Sequence, residues 1–289
     1  MCRLLGYATA GANASLNDIL GTRLVGVFRD LSEIHNDGWG VAQVVSPSEL
    51  ADQYDGGAPT PETNTKLYKS TVPARCDSTF ETMAAEPARG ALWHLRLASS
   101  NLPLIMENQQ PFFANGLSFI HNGDISDSHG RNITTNDQYP VSNSVYLSTG
   151  GRSDSAIFFA VILEYLGFGY ELDEALAQAV RELRQMYPRS SYNCMIQSQD
   201  QFIALNAAGR ERTSSRIVEI YDEYGQGAKA ADYRVMRYRA LTDETGAPAG
   251  IVVASSGFEQ TEADGWVELG NDQMIVASNR TGEWSIRSI

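Results

Sequence analysis

The apolar residues of this chain fall into short runs, a few at helical spacing and more in patterns typical of β-strands. Residues 15–31 place apolar side chains on one face of a helix, and Ser15 stands where a helix cap is expected. Further helices are predicted over 78–85, from 153 onward and over 171–186. Strands are predicted over 3–9, 41–45, 66–69, 91–98, 117–120, 192–197, 202–206, 217–221, 233–238, 251–254 and 274–277.

The order of these elements predicts the fold class. Strands dominate both ends of the chain and a helical block lies in each half, which excludes an alternating strand–helix arrangement with a parallel sheet. The order favours an α+β fold in which helices cover antiparallel sheets. Two polar segments, residues 46–64 and 126–151, are interpreted as surface insertions. The sequence contains no internal repeat and no long linker between domains.

Composition and charge limit the kinds of molecule that the protein is expected to bind. The chain has 289 residues and a net charge of −13, which argues against nucleic acid or an anionic membrane as the main partner. No segment approaches the roughly 20 apolar residues of a membrane span, and the first residues lack the apolar core of a signal peptide. The odd number of widely spaced cysteines (Cys2, Cys76, Cys194) suits reduced thiols. We therefore expect a cytoplasmic protein that acts on a small molecule.

Cys2 follows the initiator methionine directly. A small residue at this position normally allows Met1 to be removed, which would make Cys2 the mature N-terminus. Its α-amine would titrate near ~8, so part of it would be unprotonated at neutral pH and able to accept the proton of the thiol. A nucleophile paired with an N-terminal amine is a known way to activate a weak nucleophile. The alternative is that a cysteine stands at position 2 by chance.

Asn122 and Gly123 are candidates for an oxyanion hole. Attack of a thiolate on an amide carbonyl creates a negative oxygen, which needs fixed hydrogen-bond donors. The side-chain amide of Asn122 is one such donor, and the backbone N–H of Gly123 is another. The alternative is that Asn-Gly forms an ordinary hairpin turn.

Arg96 and Asp154 are candidates for binding an α-amino acid group. A carboxylate is well held by the forked guanidinium of an arginine, and an ammonium group needs a carboxylate. Arg96 lies in an apolar strand and Asp154 begins a predicted helix. The alternatives are an edge-strand arginine that faces water and an ordinary acidic residue in the first turn of a helix.

The histidines do not indicate a metal site. The four of them, at positions 35, 94, 121 and 129, lack the close spacing of zinc ligands. His94 and His121 are interpreted as strand residues that support the site. We expect no metal and no organic cofactor.

Taken together, the candidate residues stand in a characteristic order. The segments are Met1-Cys2, His35-Asn36-Asp37-Gly38-Trp39-Gly40, His94-x-Arg96-x-Ala98-Ser99, Glu107-Asn108-Gln109-Gln110-Pro111-Phe112, His121-Asn122-Gly123 and Ser153-Asp154-Ser155. This ordered set resembles the class II glutamine amidotransferases, which belong to the N-terminal-nucleophile hydrolases. The resemblance implies a four-layer αββα sandwich with two antiparallel sheets, formed by a single domain over residues 1–289.

The resemblance also implies a role for each candidate. Cys2 would be the nucleophile, with its own amine as proton acceptor, and Asn122 with Gly123 would form the oxyanion hole. Arg96 would bind the α-carboxylate and Asp154 the α-ammonium of a glutamine-like group. Ser99 stands near that carboxylate, where the family usually has threonine. The turn over 37–40 matches a glycine-rich turn of the family and is interpreted as mainly structural.

Two functions follow from the resemblance. In the first, the protein is a stand-alone hydrolase that cleaves a γ-glutamyl amide through a thioester on Cys2, similar to the γ-glutamyl hydrolase of the ergothioneine pathway. In the second, it is a glutaminase subunit that supplies ammonia to a separate synthetase. Its partner would be a γ-glutamyl compound or glutamine, and the oligomeric state stays open. The segment over 126–151 would form a wall or lid on the side of the leaving amine.

Overall fold

The computed structural model describes residues 2–45, 64–99, 102–134, 138–209 and 213–289. Apart from Asn64, the insertion expected over 46–64 lies outside the described residues. Across the described part of the chain, no helix is long and apolar enough to cross a membrane.

Two antiparallel sheets contain all the named strands. In chain order, the strands are β1 (Arg3–Thr9), β2 (Trp39–Val44), β3 (Thr65–Ser70), β4 (Gly90–Leu95), β5 (Phe112–Ala114), β6 (Leu117–Asn122), β7 (Asn193–Gln197), β8 (Gln201–Asn206), β9 (Met236–Thr242), β10 (Pro248–Ser255), β11 (Val267–Glu268), β12 (Gln273–Ser278) and β13 (Trp284–Ser288). The seven-stranded sheet has the order β11-β9-β10-β1-β4-β2-β3, and the six-stranded sheet has the order β13-β12-β8-β7-β6-β5.

Helices cover the outer face of each sheet. They are α1 (Leu16–Leu20), α2 (Thr22–Asp30), α3 (Thr79–Ala85), α4 (Asn143–Ser148), α5 (Asp154–Gly167), α6 (Leu172–Met186) and α7 (Ser215–Glu223). Side chains of α1, α2 and α3 share one buried cluster with the seven-stranded sheet, whereas α5 and α6 share another with the six-stranded sheet.

A third cluster fills the space between the two sheets. Leu4 and Val253 from the seven-stranded sheet pack there with Ile120 and Met195 from the six-stranded sheet. Because strand side chains alternate between faces, each sheet contributes one face to this middle core and one to its helices. The molecule is therefore a four-layer αββα sandwich, and the predicted α+β class with antiparallel sheets is confirmed.

The helix predicted over 15–31 is two helices. Ser15 caps α1 through a capping box with Asp18, as predicted. Gly21 then has φ 81° and ψ 144°, which no helix accommodates, and α2 begins after it. Hydrophobic spacing continues across the break, so the pattern alone did not reveal it.

The strand predicted over 217–221 is wrong, because this segment forms helix α7. Ile217 and Tyr221 are buried one helical turn apart, whereas Val218 between them is exposed. The β-branched residues favoured a strand, but the burial follows helical periodicity. The segment over 126–151 contains helix α4 and a bridge between Ser126 and Asn132, neither of which was predicted.

Candidate active site

Four separate elements bring the candidate residues to one end of the sandwich. Cys2 precedes the central strand β1, and the pairing of Arg3 with Leu95 puts it beside Arg96, which directly follows the neighbouring strand β4. Asn122 ends β6 in the other sheet, and Asp154 begins α5. A narrow cleft is lined by residues that include Cys2, Arg96, Ser99, Gly123 and Asp154.

Cys2 is buried, and its thiol lies 3.9 Å from the carbonyl oxygen of Leu97. Burial acts to raise the pKa of this thiol, but the positive charge of the Met1 amine, together with the charge and a hydrogen bond of the buried His94, lowers it to about 5. The thiolate form is therefore favoured at neutral pH, which is the reactive form of a cysteine.

Asn122 presents an unused donor close to Cys2. Its Oδ1 accepts a hydrogen bond of 2.8 Å from the Cys2 nitrogen, whereas its Nδ2 is buried and has no partner among the described residues. The alternative of a hairpin turn is excluded, because β6 pairs with β7, which begins about 70 residues later at Asn193. At Gly123 a Cβ atom would lie 2.0 Å from the carbonyl oxygen of Ser191, so this position requires glycine.

Arg96 is also buried rather than facing water. Its Nη2 donates to the carbonyl of Pro103 at 3.1 Å, and its Nη1 has no partner in the described chain. Burial lowers the pKa of this guanidinium, and the charges of Cys2, Asp37 and Asp154 oppose that effect. A buried guanidinium with unused hydrogen-bonding capacity is suited to binding a carboxylate.

Asp154 is buried at the start of α5. Its Oδ2 accepts hydrogen bonds from the backbone of Ile125 at 2.8 Å and from Asn132 Nδ2 at 2.9 Å. Burial raises the pKa of this carboxyl to about 6, although these two bonds favour the ionised form. At neutral pH the site therefore holds a carboxylate that an ammonium group could approach. Ser99 is half-buried on the wall of the same cleft.

The turn over 37–40 holds the end of β4 in place. Asp37 Oδ2 accepts a hydrogen bond of 2.8 Å from the Ala98 nitrogen, and the backbone of Gly38 accepts one of 2.9 Å from the Arg96 nitrogen. Gly38 has φ 116°, and a Cβ there would lie 2.3 Å from the carbonyl of Ser70. The turn thus holds the backbone of Arg96 in place, as we expected when we interpreted these glycines as mainly structural.

Sequence reasoning missed two side chains that contact the site. Asn132 donates to Asp154, and the Tyr233 hydroxyl donates to Asn122 Oδ1 at 3.0 Å. Asn132 was assigned to an insertion and Tyr233 to a strand, and neither stands near its partner in the sequence. Only the folded chain brings them together.

The histidines and acidic residues do not assemble a metal site in the described part of the chain, where no group of three or more such ligands lies together. His121 instead contacts Ser155 Oγ at 2.9 Å and the Ser191 carbonyl at 2.8 Å. Burial lowers the pKa of His121 to about 4, so it is neutral at physiological pH.

Comparisons with known proteins bear on the fold. No protein-family model matches the chain, and no curated protein matches it. Among solved structures, a glutamine aminotransferase class-II domain protein from Silicibacter pomeroyi has a TM-score of 0.59 at 18% identity, covering 99% of both chains. A predicted glutamine amidotransferase from Pseudomonas aeruginosa PA01 has a TM-score of 0.53 at 14% identity, covering 98% of this chain and 99% of that one.

A larger protein shares the fold over part of its length. Glutamine phosphoribosylpyrophosphate amidotransferase from B. subtilis has a TM-score of 0.57 at 13% identity, covering 99% of this chain and 49% of that chain. This chain therefore spans about half the length of that amidotransferase. Likenesses at these identities show the fold, which is the sandwich found in class II glutamine amidotransferase domains.

Proposed function

We propose that this protein is a hydrolase that cleaves a γ-glutamyl amide through a thioester on Cys2 and releases glutamate. One observation carries the proposal: a thiol with a lowered pKa, an arginine whose Nη1 has no partner in the described chain and a buried carboxylate line one cleft, and the unused amide donor of Asn122 lies beside Cys2. A γ-glutamyl group presents a matching set, with a carbonyl carbon for the thiol, an α-carboxylate for the guanidinium and an α-ammonium for the carboxylate.

The proposed reaction has two halves. The Cys2 sulfur attacks the side-chain carbonyl as the thiolate, its proton having already passed to the Cys2 α-amine. Asn122 Nδ2 and the Gly123 N–H donate to the negative oxygen that forms. The amine leaves with the proton from the α-amine, and a thioester remains. Water then adds to the thioester and gives a proton to the α-amine, and glutamate leaves as the Cys2 thiolate is restored.

The alternative of a glutaminase subunit uses the same two half-reactions, with ammonia as the amine that leaves and passes to a synthetase. The match to about half of a phosphoribosylpyrophosphate amidotransferase favours this alternative, because in that larger protein the fold forms only one part of the chain. In two other solved structures the same fold fills nearly the whole chain. The resemblance to the ergothioneine-pathway enzyme supports a γ-glutamyl-cysteinyl conjugate as the substrate class.

Glutamate release tests the proposal. The purified protein, with Met1 removed, should release glutamate from a panel of glutamine and γ-glutamyl dipeptides without a partner protein. Cys2→Ala should abolish release while the melting temperature stays near that of the wild type. Intact-mass measurement during turnover should detect one glutamyl group added to the wild-type protein.

Cys76→Ala is the matched control, because Cys76 is an exposed thiol outside the cleft. This variant should retain full activity. Release of glutamate by the Cys2→Ala variant at the wild-type rate would refute the mechanism. Activity with free glutamine that requires an added synthetase would favour the alternative function.

A further inference from the structure

We propose that Tyr233 is a positioning residue for the oxyanion hole: its hydroxyl holds the Asn122 amide in the orientation that leaves Nδ2 free to donate to the oxyanion. This inference rests on the proposed function and adds a residue that the sequence motifs do not contain. Tyr233 lies about 110 positions from Asn122 in the chain, just before β9.

The orientation of the Asn122 side chain follows from the two groups that face its oxygen. Tyr233 OH donates to Oδ1 at 3.0 Å, and the Cys2 nitrogen donates to the same atom at 2.8 Å. Rotation of the amide by half a turn would put its NH₂ group against the Cys2 N–H, so that bond would be lost, and the Tyr233 hydroxyl would have to change from donor to acceptor. The oxygen therefore stays on this side, and the buried Nδ2 is left without a partner in the described chain.

Tyr233 is itself held firmly. It is 3% exposed, and Arg3 Nη1 donates to its carbonyl oxygen at 3.0 Å. The Arg3 guanidinium lies 4.6 Å from the centre of the Tyr233 ring, and the His35 ring stacks against the ring at an angle of 17°. Burial raises the pKa of Tyr233 well above its usual value, so its hydroxyl keeps the proton that it donates. A donor fixed this way preorganises its acceptor.

The contacts of Tyr233 predict that its loss affects the chemical step rather than substrate binding. It contacts Asn122, which would stabilise the transition state, and no hydrogen bond joins it to Arg96 or Asp154, which would hold the α-carboxylate and α-ammonium. Loss of its hydroxyl should therefore change kcat and leave KM nearly unchanged. A residue that only supported packing would not produce this split.

The test compares Tyr233→Phe with Tyr221→Phe. Tyr221 is the matched control because it is equally buried and its hydroxyl bonds Arg3 and His35 in the same cluster, but it has no bond to Asn122. Removing an oxyanion donor outright costs on the order of 100-fold or more in kcat. Tyr233→Phe leaves the Cys2 anchor of the amide, so we expect a smaller loss of about 10-fold, with KM within about twofold. Tyr221→Phe should retain kcat within about twofold.

Two further measurements make the outcome decisive. The rate of Cys2 alkylation by iodoacetamide should be the same in Tyr233→Phe and wild type, because alkylation needs no oxyanion hole. The side-chain NH₂ signals of Asn122, observed by NMR in ¹⁵N-labelled protein, should broaden or split in Tyr233→Phe and stay sharp in Tyr221→Phe.

Wild-type kcat in Tyr233→Phe, or an equal loss in Tyr221→Phe, would overturn the proposal. Failure of the proposed function is seen separately, as a wild-type protein that forms no thioester and releases no glutamate. In that case the NMR signals alone decide whether Tyr233 orients Asn122, and unchanged signals in Tyr233→Phe would reject the inference.

Discussion

Asp154 lines the cleft, and its burial also affects the stability of the folded protein. Its carboxyl is 2% exposed, and burial raises its pKa from 3.8 to about 6. The folded protein therefore binds this proton more tightly than the unfolded chain does. The stability that this carboxyl contributes is fully present below pH 3.8 and is lost as the pH rises through about 6.

Asp154→Asn should remove this pH dependence while weakening substrate capture. The asparagine carbonyl can still accept the bonds from Ile125 and Asn132, and the side chain has no charge to desolvate. Near pH 4 the melting temperatures of variant and wild type should be similar, and at pH 8 the variant should melt higher. Its KM should rise at least 10-fold, as expected for a lost charge-assisted contact worth about 1.5–3 kcal/mol. Thermal unfolding between pH 4 and 8 and steady-state kinetics measure both effects.

Asp127→Asn is the control, because backbone and side-chain bonds from Arg131 lower the pKa of that exposed carboxyl. Its contribution to stability is present above the unfolded pKa and is lost on acidification, so the pH trend should be opposite. A variant Asp154→Asn that melts below the wild type at pH 8 would contradict the account of Asp154.

At the residue scale, the sequence predicted which candidates would meet but not all of their neighbours. Cys2, Arg96 and Asp154 stand in recognisable motifs and line one cleft, and Asn122 contacts the Cys2 nitrogen, but their roles stay predictions. Tyr233 belongs to no motif, and its contact with Asn122 depends on how a distant segment packs. Such contacts are set by tertiary packing, which local sequence does not encode.

At the scale of elements, Gly21 and Gly26 show how backbone conformation overrides hydrophobic spacing. A Cβ at either position would meet no atom within 4 Å, so space does not distinguish them. Gly21 has φ 81° and ψ 144°, close to a region that is essentially restricted to glycine. Gly26 lies within α2, where glycine is a poor helix former.

Substitution by alanine should therefore have opposite effects at these two positions. Gly21→Ala should destabilise the protein by about 1–3 kcal/mol because the backbone is strained. Gly26→Ala should stabilise it by about 0.5–1 kcal/mol because alanine favours the helix. Urea unfolding measures both, and kcat should be unchanged in each variant because neither lines the cleft. The same sign at both positions would contradict this explanation.

The elements that were predicted correctly have burial that matches their local pattern. β1 and β10 are apolar runs in the middle of a sheet, and α6 has one buried face. α7 was mistaken for a strand because its β-branched residues suggested one, and the short strands β11 and β13 carry mostly exposed side chains. Such elements are determined by pairing with neighbours rather than by their own hydrophobic pattern.

At the scale of the molecule, the two ends of the described chain lie in contrasting places. β1 is the middle strand of the seven-stranded sheet, so Cys2 enters the fold at its centre and lines the cleft. β13 is the edge strand of the other sheet, separated from β6 and Asn122 by three strands, and most of its side chains are exposed. An extension before Cys2 is therefore joined to a residue of the cleft, whereas one after Ile289 is joined next to an edge strand.

This arrangement makes N-terminal and C-terminal tags a test of the whole mechanism. A tag that stays attached before Cys2 converts the α-amine to an amide, which cannot accept the thiol proton. We expect that protein to fold, with a melting temperature near that of the untagged form, and to release no glutamate. The same tag placed after Ile289 should leave activity unchanged, which separates the chemistry of the amine from a general effect of the tag. Proteolytic removal of the N-terminal tag to expose Cys2 should restore turnover, and a fully active protein with the tag still attached would rule out the α-amine as the base.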